Sequence, residues 1–324
     1  MNLFYLEPDP DRWLPFDRYP RQVLRRIVRG RPRVGGQKRV FLNLCLGLDQ
    51  LGVQYRVNDF RYARQHPDET VGIVGKPFVL DLQKWRNPIL FGASLFSHPV
   101  DDPQVHIRLP VKRILVPGPW MEHMFRPYYG ERVHTWPVGI DTEQWQPNSS
   151  PAKHYDFLLY DKIRWKREQL EAQLLQPLRT ILASRGLTVN EIRYGNYQEA
   201  DFRDRLQACK AMIFLCEHES QGIAYQQALS AGVPIMAWDR GGSWQDPSYY
   251  PDRVNFSPVS SVPYWDARCG VKFSSISEFS TALEVFLQAF AEKRFSPREY
   301  ILENLTLKQS ARWYLHHYRS LAPA

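Results

Sequence analysis

Apolar residues recur along the chain in two rhythms. Short runs at residues 2–6, 71–74, 88–91, 113–116, 156–160, 191–194, 211–215 and 234–238 are rich in Val, Ile, Leu and aromatic residues and read as strands. Between many of them the spacing changes to that of a helix. Phe41, Leu44, Cys45, Leu48 and Leu51 fall on one helical face. Leu170, Leu174, Leu178 and Ile181 do the same, as do Leu283, Phe286, Leu287 and Phe290. Strands alternating with helices predict an α/β architecture with a mainly parallel sheet. No internal repeat of fixed period and no low-complexity tract interrupts the pattern.

The chain has 324 residues, more than a single domain of roughly 100–200 residues accounts for. Gln146-Pro147-Asn148-Ser149-Ser150-Pro151-Ala152 is polar, rich in Pro and Ser, and near mid-chain. It predicts a boundary between an N-terminal domain, residues 1–150, and a C-terminal domain, residues 151–324. Two α/β halves would leave a cleft between them, and open sheets of this kind bind ligands beyond the carboxyl ends of their strands.

Composition narrows the class. Hydrophobic residues make up 44% and charged residues 23%, ordinary for a globular protein and far from a disordered one. No apolar run reaches the roughly 18 residues of a membrane-spanning helix. The first ten residues hold acids and prolines, unlike a secretory signal peptide. Four cysteines without a CxxC pair disfavour a disulfide scaffold and a zinc or redox motif. A cytoplasmic protein is the expectation. The net charge of +8 is uneven. Nine basic and no acidic residues lie between Arg18 and Arg39, interleaved with Tyr19, Val23, Leu24, Ile27 and Val28. Such a stretch suits a solvated basic surface, or an ordinary amphipathic helix packed on its own domain. It also suits peripheral contact with an anionic membrane, where each basic residue contributes about 1 kcal/mol. A nucleic-acid partner is disfavoured, because no aromatic RNA-binding or zinc motif accompanies the charge.

The stretch from Cys216 to Pro234 is the richest in candidate chemistry. It follows the apolar run at 211–215, and a helix can start near Gly222. Gly232 suits its left-handed cap, and Pro234 blocks continuation. Strand, glycine turn and helix together aim free backbone N–H groups of Gly222 and Ile223 at an anion such as a diphosphate. Glu219 sits just before the helix and could accept hydroxyl hydrogen bonds. Gln227 lies about one turn in, with a side chain leaning back toward the helix start. A purely structural role fits the same spacing, with Glu219 as a cap and Gln227 a surface polar group.

This stretch resembles the signature of the retaining family 4 glycosyltransferases, whose fold is GT-B: two Rossmann-like domains facing each other across a cleft. Their pattern is Glu, seven residues, Glu, then Ala-hydrophobic-Ala-x-Gly-x-Pro. Glu219 matches the first Glu, Gly222 the family's glycine, and Ala228, Gly232 and Pro234 the tail. Gln227 stands where the family has its second Glu, which binds the ribose hydroxyls. A Gln still accepts a hydrogen bond, without the strength that charge adds. The segment from Trp136 to Pro147 resembles the family's Gly-hydrophobic-Asp-x-x-x-aromatic-x-Pro closure of the first half. Gly35-Gly36 resembles its first glycine-rich loop, which faces the donor. Lys162, with Lys166 or Arg167, occupies the place of the basic pair that neutralises the leaving diphosphate. His98, after the run at 88–91, resembles a His placed near the transferred sugar, although a lone His at a strand end is also a common structural residue. Asp101 and Asp102 are weaker candidates for acceptor contact. Gly241-Gly242 matches a further glycine pair. The terminal helix, near 305–324, resembles one that crosses back to the first domain.

The resemblance implies a nucleotide-diphosphate sugar donor, a hexosyl transfer to an acceptor hydroxyl with retention, and no metal or other cofactor. The acceptor, whether glycan, lipid-linked or small, is left open. Glu219 and His98 would face the reacting sugar. Gly35, Gly36, Lys162, Lys166, Gly222, Ile223 and Gln227 would hold the donor. Two alternatives share these residues: a catalytically silent binder of nucleotide or glycan, and a sugar-nucleotide epimerase.

Overall fold

A computed structural model describes residues 1–8, 35–148 and 152–321. Most of the basic run, residues 18–33, lies outside the described residues, as do residues 149–151 of the proline-serine segment. The chain divides into two compact units. One gathers Met1–Val116, Phe125–Trp136 and Ala311–Ala324; the other gathers Pro117–Met124 and Pro137–Ser310.

The first unit is built on a six-stranded parallel sheet of β1 (Asn2–Phe4), β2 (Arg56–Val57), β3 (Val71–Gly75), β4 (Ile89–Ser94), β5 (Val111–Val116) and β6 (Val133–Thr135). Their spatial order is β2-β1-β3-β4-β5-β6. β3 and β4 are buried along their whole length. A parallel strand covered on both faces has no solvent side, so it shows as an unbroken apolar run. The helix Gly36–Gln50 buries Val40, Phe41, Leu44 and Leu48, most of its expected apolar face. The end of the helix Leu307–Arg319 also belongs to this unit. Tyr314 packs against Trp136 with ring centres 5.0 Å apart, and the Tyr318 hydroxyl donates to the Thr70 carbonyl.

The second unit holds a five-stranded parallel sheet of β7 (Tyr155–Lys162), β8 (Val189–Arg193), β9 (Cys209–Cys216), β10 (Ile235–Trp238) and β11 (Gly270–Phe273), in the order β11-β10-β9-β7-β8. Alternate residues face opposite layers. Leu158, Tyr160, Met212 and Phe214 join one core with Tyr225 and Leu229. Phe157, Leu159, Ile213 and Leu215 join the other with Leu178, Leu283 and Phe286. Each fully buried side chain of this size contributes roughly 1.5–3 kcal/mol through removal from water. Pro137 to Trp145 pack within this unit. Ile140 bridges to Thr306, Ser230 Oγ donates to Trp145 O at 2.7 Å, and Ser310 Oγ donates to Pro137 O at 2.8 Å.

All eight apolar runs form strands, with ends displaced by a few residues. The strands that the apolar runs do not mark are β2, β6 and β11, and each lies at a sheet edge. An edge strand pairs on one side only and needs no continuous apolar run. Both residues of β2 are exposed. The periodicity of Leu170 to Ile181 corresponds to the helices Arg167–Leu170 and Gln176–Ser184, joined through a wider π turn at Glu171–Leu175. Pro177 at the start of the last segment has no N–H for the preceding turn, which favours a local change of helix type there. Among the described residues no helix is long and apolar enough to cross a membrane.

Candidate functional site

The second unit gathers its chemistry at the carboxyl ends of β7, β9 and β10. Parallel pairing sets Lys162, the last residue of β7, opposite Cys216, the last of β9. Glu219 follows three residues later, and the Lys162 ammonium donates to its Oε1. Both side chains are only 11% exposed. Burial alone would push the Glu219 pKa up, but Lys162 and then Arg164 hold it below the usual carboxylate value. Burial alone would likewise lower the Lys162 pKa, and the Glu219 charge reverses that. The pair is therefore ionised on both sides. The Lys162 ammonium also lies over the Tyr194 ring, 4.3 Å from its centre.

The backbone around Glu219 is anchored. Its N–H donates to Ser260 O at 2.9 Å, and its carbonyl accepts from Trp120 Nε1 at 2.8 Å. Glu217 acts as a clasp: its carboxylate accepts the N–H groups of Arg164 and Trp165, each at 3.0 Å. This ties the turn after β7 to the end of β9. Burial raises the Glu217 pKa despite these bonds. His218 is packed among aromatic rings, stacked on Trp165 at 4.9 Å and edge-on to Trp120 at 5.7 Å. Burial lowers its pKa to about 4, so the imidazole is neutral at pH 7.

Gly222 closes the turn with φ of +80°, a left-handed conformation that glycine adopts without strain. A Cβ there would lie 2.0 Å from the Tyr225 ring. The helix Ile223–Ser230 follows, with no side chain capping its first N–H groups. Gly232, with φ of +76°, lies just past its end. Within the helix, two adjacent glutamines differ. Gln226 is tied to Gln221 by bonds of 2.9 Å in both directions. Gln227 is 7% exposed, and its amide has no hydrogen bond to any described residue. The amide keeps a small exposure, through which a ligand could reach it.

Lys162, Glu219, Gly222, Ile223 and Gln227 thus belong to one region of this unit. Lys166 is exposed, in a left-handed conformation at the start of the helix Arg167–Leu170, and makes no ion pair with a described residue. Arg167, the other candidate for the second cation, is committed to Asp161, with contacts of 2.7 and 2.6 Å. Gly241 and Gly242 both have positive φ, in the loop after β10.

The remaining candidates belong to the first unit. Gly35 caps the helix that begins at Gly36, and among the described residues none lies within 4 Å of a Cβ at either. Crowding therefore does not dictate glycine there. His98 is 4% exposed; its Nδ1 accepts the Val100 N–H at 3.0 Å and its ring meets Tyr128 edge-on. Asp102 pairs with Arg108, and its carbonyl accepts from the Tyr129 hydroxyl at 2.8 Å. Asp101 is exposed.

Sequence reasoning passed over Glu217, His218, Arg164, Trp165 and Arg240. Glu217 and His218 carried a signal, since ionisable residues directly after a buried strand are often placed by backbone geometry. Trp165 and Arg164 carried none, because their role depends on the turn that Glu217 holds. Among the described residues no group of three or more His, Cys, Asp or Glu side chains is placed to hold a metal ion.

No protein-family model matches the chain, and no curated protein matches it by sequence. Solved structures do resemble it. Sucrose-phosphate synthase from Thermosynechococcus elongatus aligns with a TM-score of 0.61 at 13% identity, over 99% of this chain and 98% of that one. The lipopolysaccharide outer core galactosyltransferase WaaB aligns at 0.51 and 11% identity, over 88% and 96%. The S. aureus TarM variant in complex with Fondaparinux, alpha-GlcNAc-glycerol and UDP aligns at 0.54 and 12% identity, over 80% and 57%. The chain also spans 55% of the accessory secretory protein 1,2 and 3 structure of Streptococcus pneumoniae. These likenesses, together with the two parallel sheets, identify the fold: the chain is a GT-B protein of two Rossmann-like α/β units.

Proposed function

We propose that the chain transfers a sugar, of the hexosyl type, from a nucleotide-diphosphate donor to an acceptor hydroxyl, with retention at the anomeric carbon. One observation carries the reading: a buried Lys162–Glu219 ion pair lies at the carboxyl ends of β7 and β9, followed by an uncapped helix start at Gly222 and by Gln227, whose amide has no hydrogen bond to a described residue. The presence of UDP in the TarM complex supports a nucleotide as the ligand class.

Each residue then has a task. Charge develops on the departing diphosphate, and fixed positive groups aimed there lower the barrier. The N–H groups at Gly222 and Ile223 supply part of this, and the exposed Lys166 is free to move to the phosphates. Lys162 is shared with Glu219, so its charge also keeps Glu219 ionised. Glu219 accepts hydroxyls of the sugar, and Gln227 accepts the ribose. Gly35 and Gly36 are further donor contacts in this reading, and His98 faces the transferred sugar. The donor is a substrate, and the reaction proposed here uses no resident metal. The acceptor is a glycan, a lipid-linked molecule or a small molecule. For the basic run between Arg18 and Arg39, a peripheral contact with an anionic inner membrane face, in a cytoplasmic protein, is part of the same proposal.

A second reading, a silent nucleotide or glycan binder, is favoured by Gln227, which lacks the charge of a carboxylate. A thermal-shift panel of UDP, GDP, ADP and their sugars, read beside donor hydrolysis, separates the two. A ligand at 100 times its dissociation constant adds about 2.7 kcal/mol of stability. Stabilisation with slow donor hydrolysis is the expected result. Stabilisation without turnover, even with acceptors supplied, would favour the silent binder. No stabilisation by any nucleotide or nucleotide sugar would remove the transferase and the nucleotide binder, and leave only a glycan binder.

A further inference from the structure

Arg240 stands two residues beyond the end of β10, and the mechanism above gives it no task. Its Nε and Nη2 atoms are buried and have no hydrogen-bond partner among the described residues. The neighbouring carboxylate does not serve it. Asp239 is occupied by Lys272 Nζ at 2.8 Å, by Ser260 Oγ at 3.0 Å and by the Ser261 N–H at 2.9 Å. The nearest aromatic support is the Trp238 ring, with the guanidinium carbon 5.7 Å from its centre. Gly241 and Gly242 follow with φ of +70° and +50°, so the chain turns away directly after the side chain.

A guanidinium carries five N–H donors in a rigid plane and cannot shed its charge. Burying two of those nitrogens without an acceptor is costly, and such a group persists in a fold when a ligand completes it. The surroundings strengthen the argument. Arg240 is close enough to His218 to help keep its imidazole uncharged. His218 and Glu219 are adjacent in sequence, Glu219 N–H donates to Ser260 O, and Ser260 Oγ donates to Asp239. Arg240 therefore lies near His218, the residue before Glu219, and follows Asp239, which Ser260 ties to the Glu219 backbone. Lys162 is neutralised by Glu219. Arg164 stacks on Trp165 and donates to His218 O at 3.3 Å. Arg240 is the cation of this group whose buried nitrogens face no acceptor.

We infer that Arg240 recognises an anionic oxygen group of the bound ligand, a phosphate or a carboxylate, through paired N–H···O bonds. The inference rests on the proposed glycosyl transfer for the identity of the ligand, but not for the existence of an anion. Two sources share this chemistry: the donor diphosphate, and a carboxylate on the sugar itself. Arg rather than Lys suits either, because its fork matches two oxygens at once.

The test compares the full-length protein with Arg240→Met and Arg240→Lys by thermal shift and by calorimetric titration. The probes are inorganic pyrophosphate, UDP, UDP-glucose and UDP-glucuronate, with GDP and ADP counterparts. Ligand-free Arg240→Met is expected to melt no lower than the parent, since it removes two buried N–H-bearing nitrogens that have no described acceptor. Its affinity for at least one anionic probe should fall tenfold or more, with only partial recovery in Arg240→Lys. A loss shared by pyrophosphate, UDP and both sugars assigns the diphosphate. A loss confined to the glucuronate assigns the sugar carboxylate. Affinities all within twofold of the parent, or no anion bound by the parent at all, would overturn the inference. If the parent binds pyrophosphate through Arg240 but no nucleotide, the anion site stands and the glycosyl-transfer reading fails.

Discussion

The two units share an architecture and differ in how they hold their ionisable groups. In the second unit, Lys162, Glu219, Glu217, His218 and Cys216 are all at least nine-tenths buried or nearly so, and they cluster at two adjacent strand ends. In the first, His98 is fixed by a backbone N–H, Asp102 pairs with Arg108, and Gly35 and Gly36 have no described neighbour within 4 Å of a Cβ. Burying a charge is expensive, and a fold tolerates it where a partner is held in place. That concentration is the reason the proposed donor contacts fall mainly in the second unit, while His98 and Asp102 in the first are held by local backbone and ion-pair contacts.

Removing one half of the buried pair is the severest challenge to this contrast. Lys162→Met leaves the Glu219 carboxylate buried without its partner and should destabilise the protein by about 3–5 kcal/mol. Urea unfolding reads the loss. The double variant Lys162→Met with Glu219→Gln should recover a large part of it, because no isolated charge remains. A loss under 1 kcal/mol in the single variant would mean that water reaches the pair, and the contrast between the units would collapse.

Acid sensitivity sharpens the comparison, since each unit holds one histidine with a pKa lowered to about 4. Burial is the main cause for both His218 and His317, with Arg113 adding to it for His317. A histidine kept neutral in the folded state binds fewer protons than in the unfolded chain between pH 4 and 6.5. Its contribution is therefore complete above pH 6.5 and is lost as pH falls toward 4. A shift of that size corresponds to on the order of 3 kcal/mol for the more deeply buried His218. Stability measured at pH 7.5 and 4.5 should drop in the parent and drop less in His218→Gln. An unchanged acid limb in that variant, with a flattened one in His317→Gln, would move the effect to the first unit.

The smallest effect separates ligand-binding from structural polar groups. Gln227→Ala removes an amide that has no protein partner, so stability should change by under about 1 kcal/mol, while the shift given by a stabilising nucleotide should shrink. His98→Ala removes the acceptor of the Val100 N–H and should cost about 1–2 kcal/mol with little change in that shift. The reverse pattern would exchange the roles assigned to the two units.

Much of this was legible in the chain, for identifiable reasons. The central strands announce themselves because a parallel strand buried on both faces must be apolar throughout, as Ile213 to Leu215 and Ile89 to Phe91 are. Gly222 and Gly232 bracket a helix because their left-handed backbone is cheap only for glycine. The position of Glu219 before that helix, and of Gln227 inside it, also followed from spacing alone. The edge strands β2, β6 and β11 were not marked, since half-paired segments carry no strict pattern.

What spacing could not decide is which polar group meets which. Gln226 and Gln227 are neighbours with the same side chain; only packing ties one to Gln221 and leaves the other without a partner. Lys162, Lys166 and Arg167 are equivalent as cations along the chain. The tertiary structure gives Lys162 to Glu219 and Arg167 to Asp161, and leaves Lys166 exposed. Arg240 carries no local signal at all. Local propensity and periodicity act over one or two turns, so the sequence by itself determines elements and their order. The fate of a charge depends on residues brought together from distant strands, where low dielectric surroundings magnify each pairing, and that only the folded chain decides.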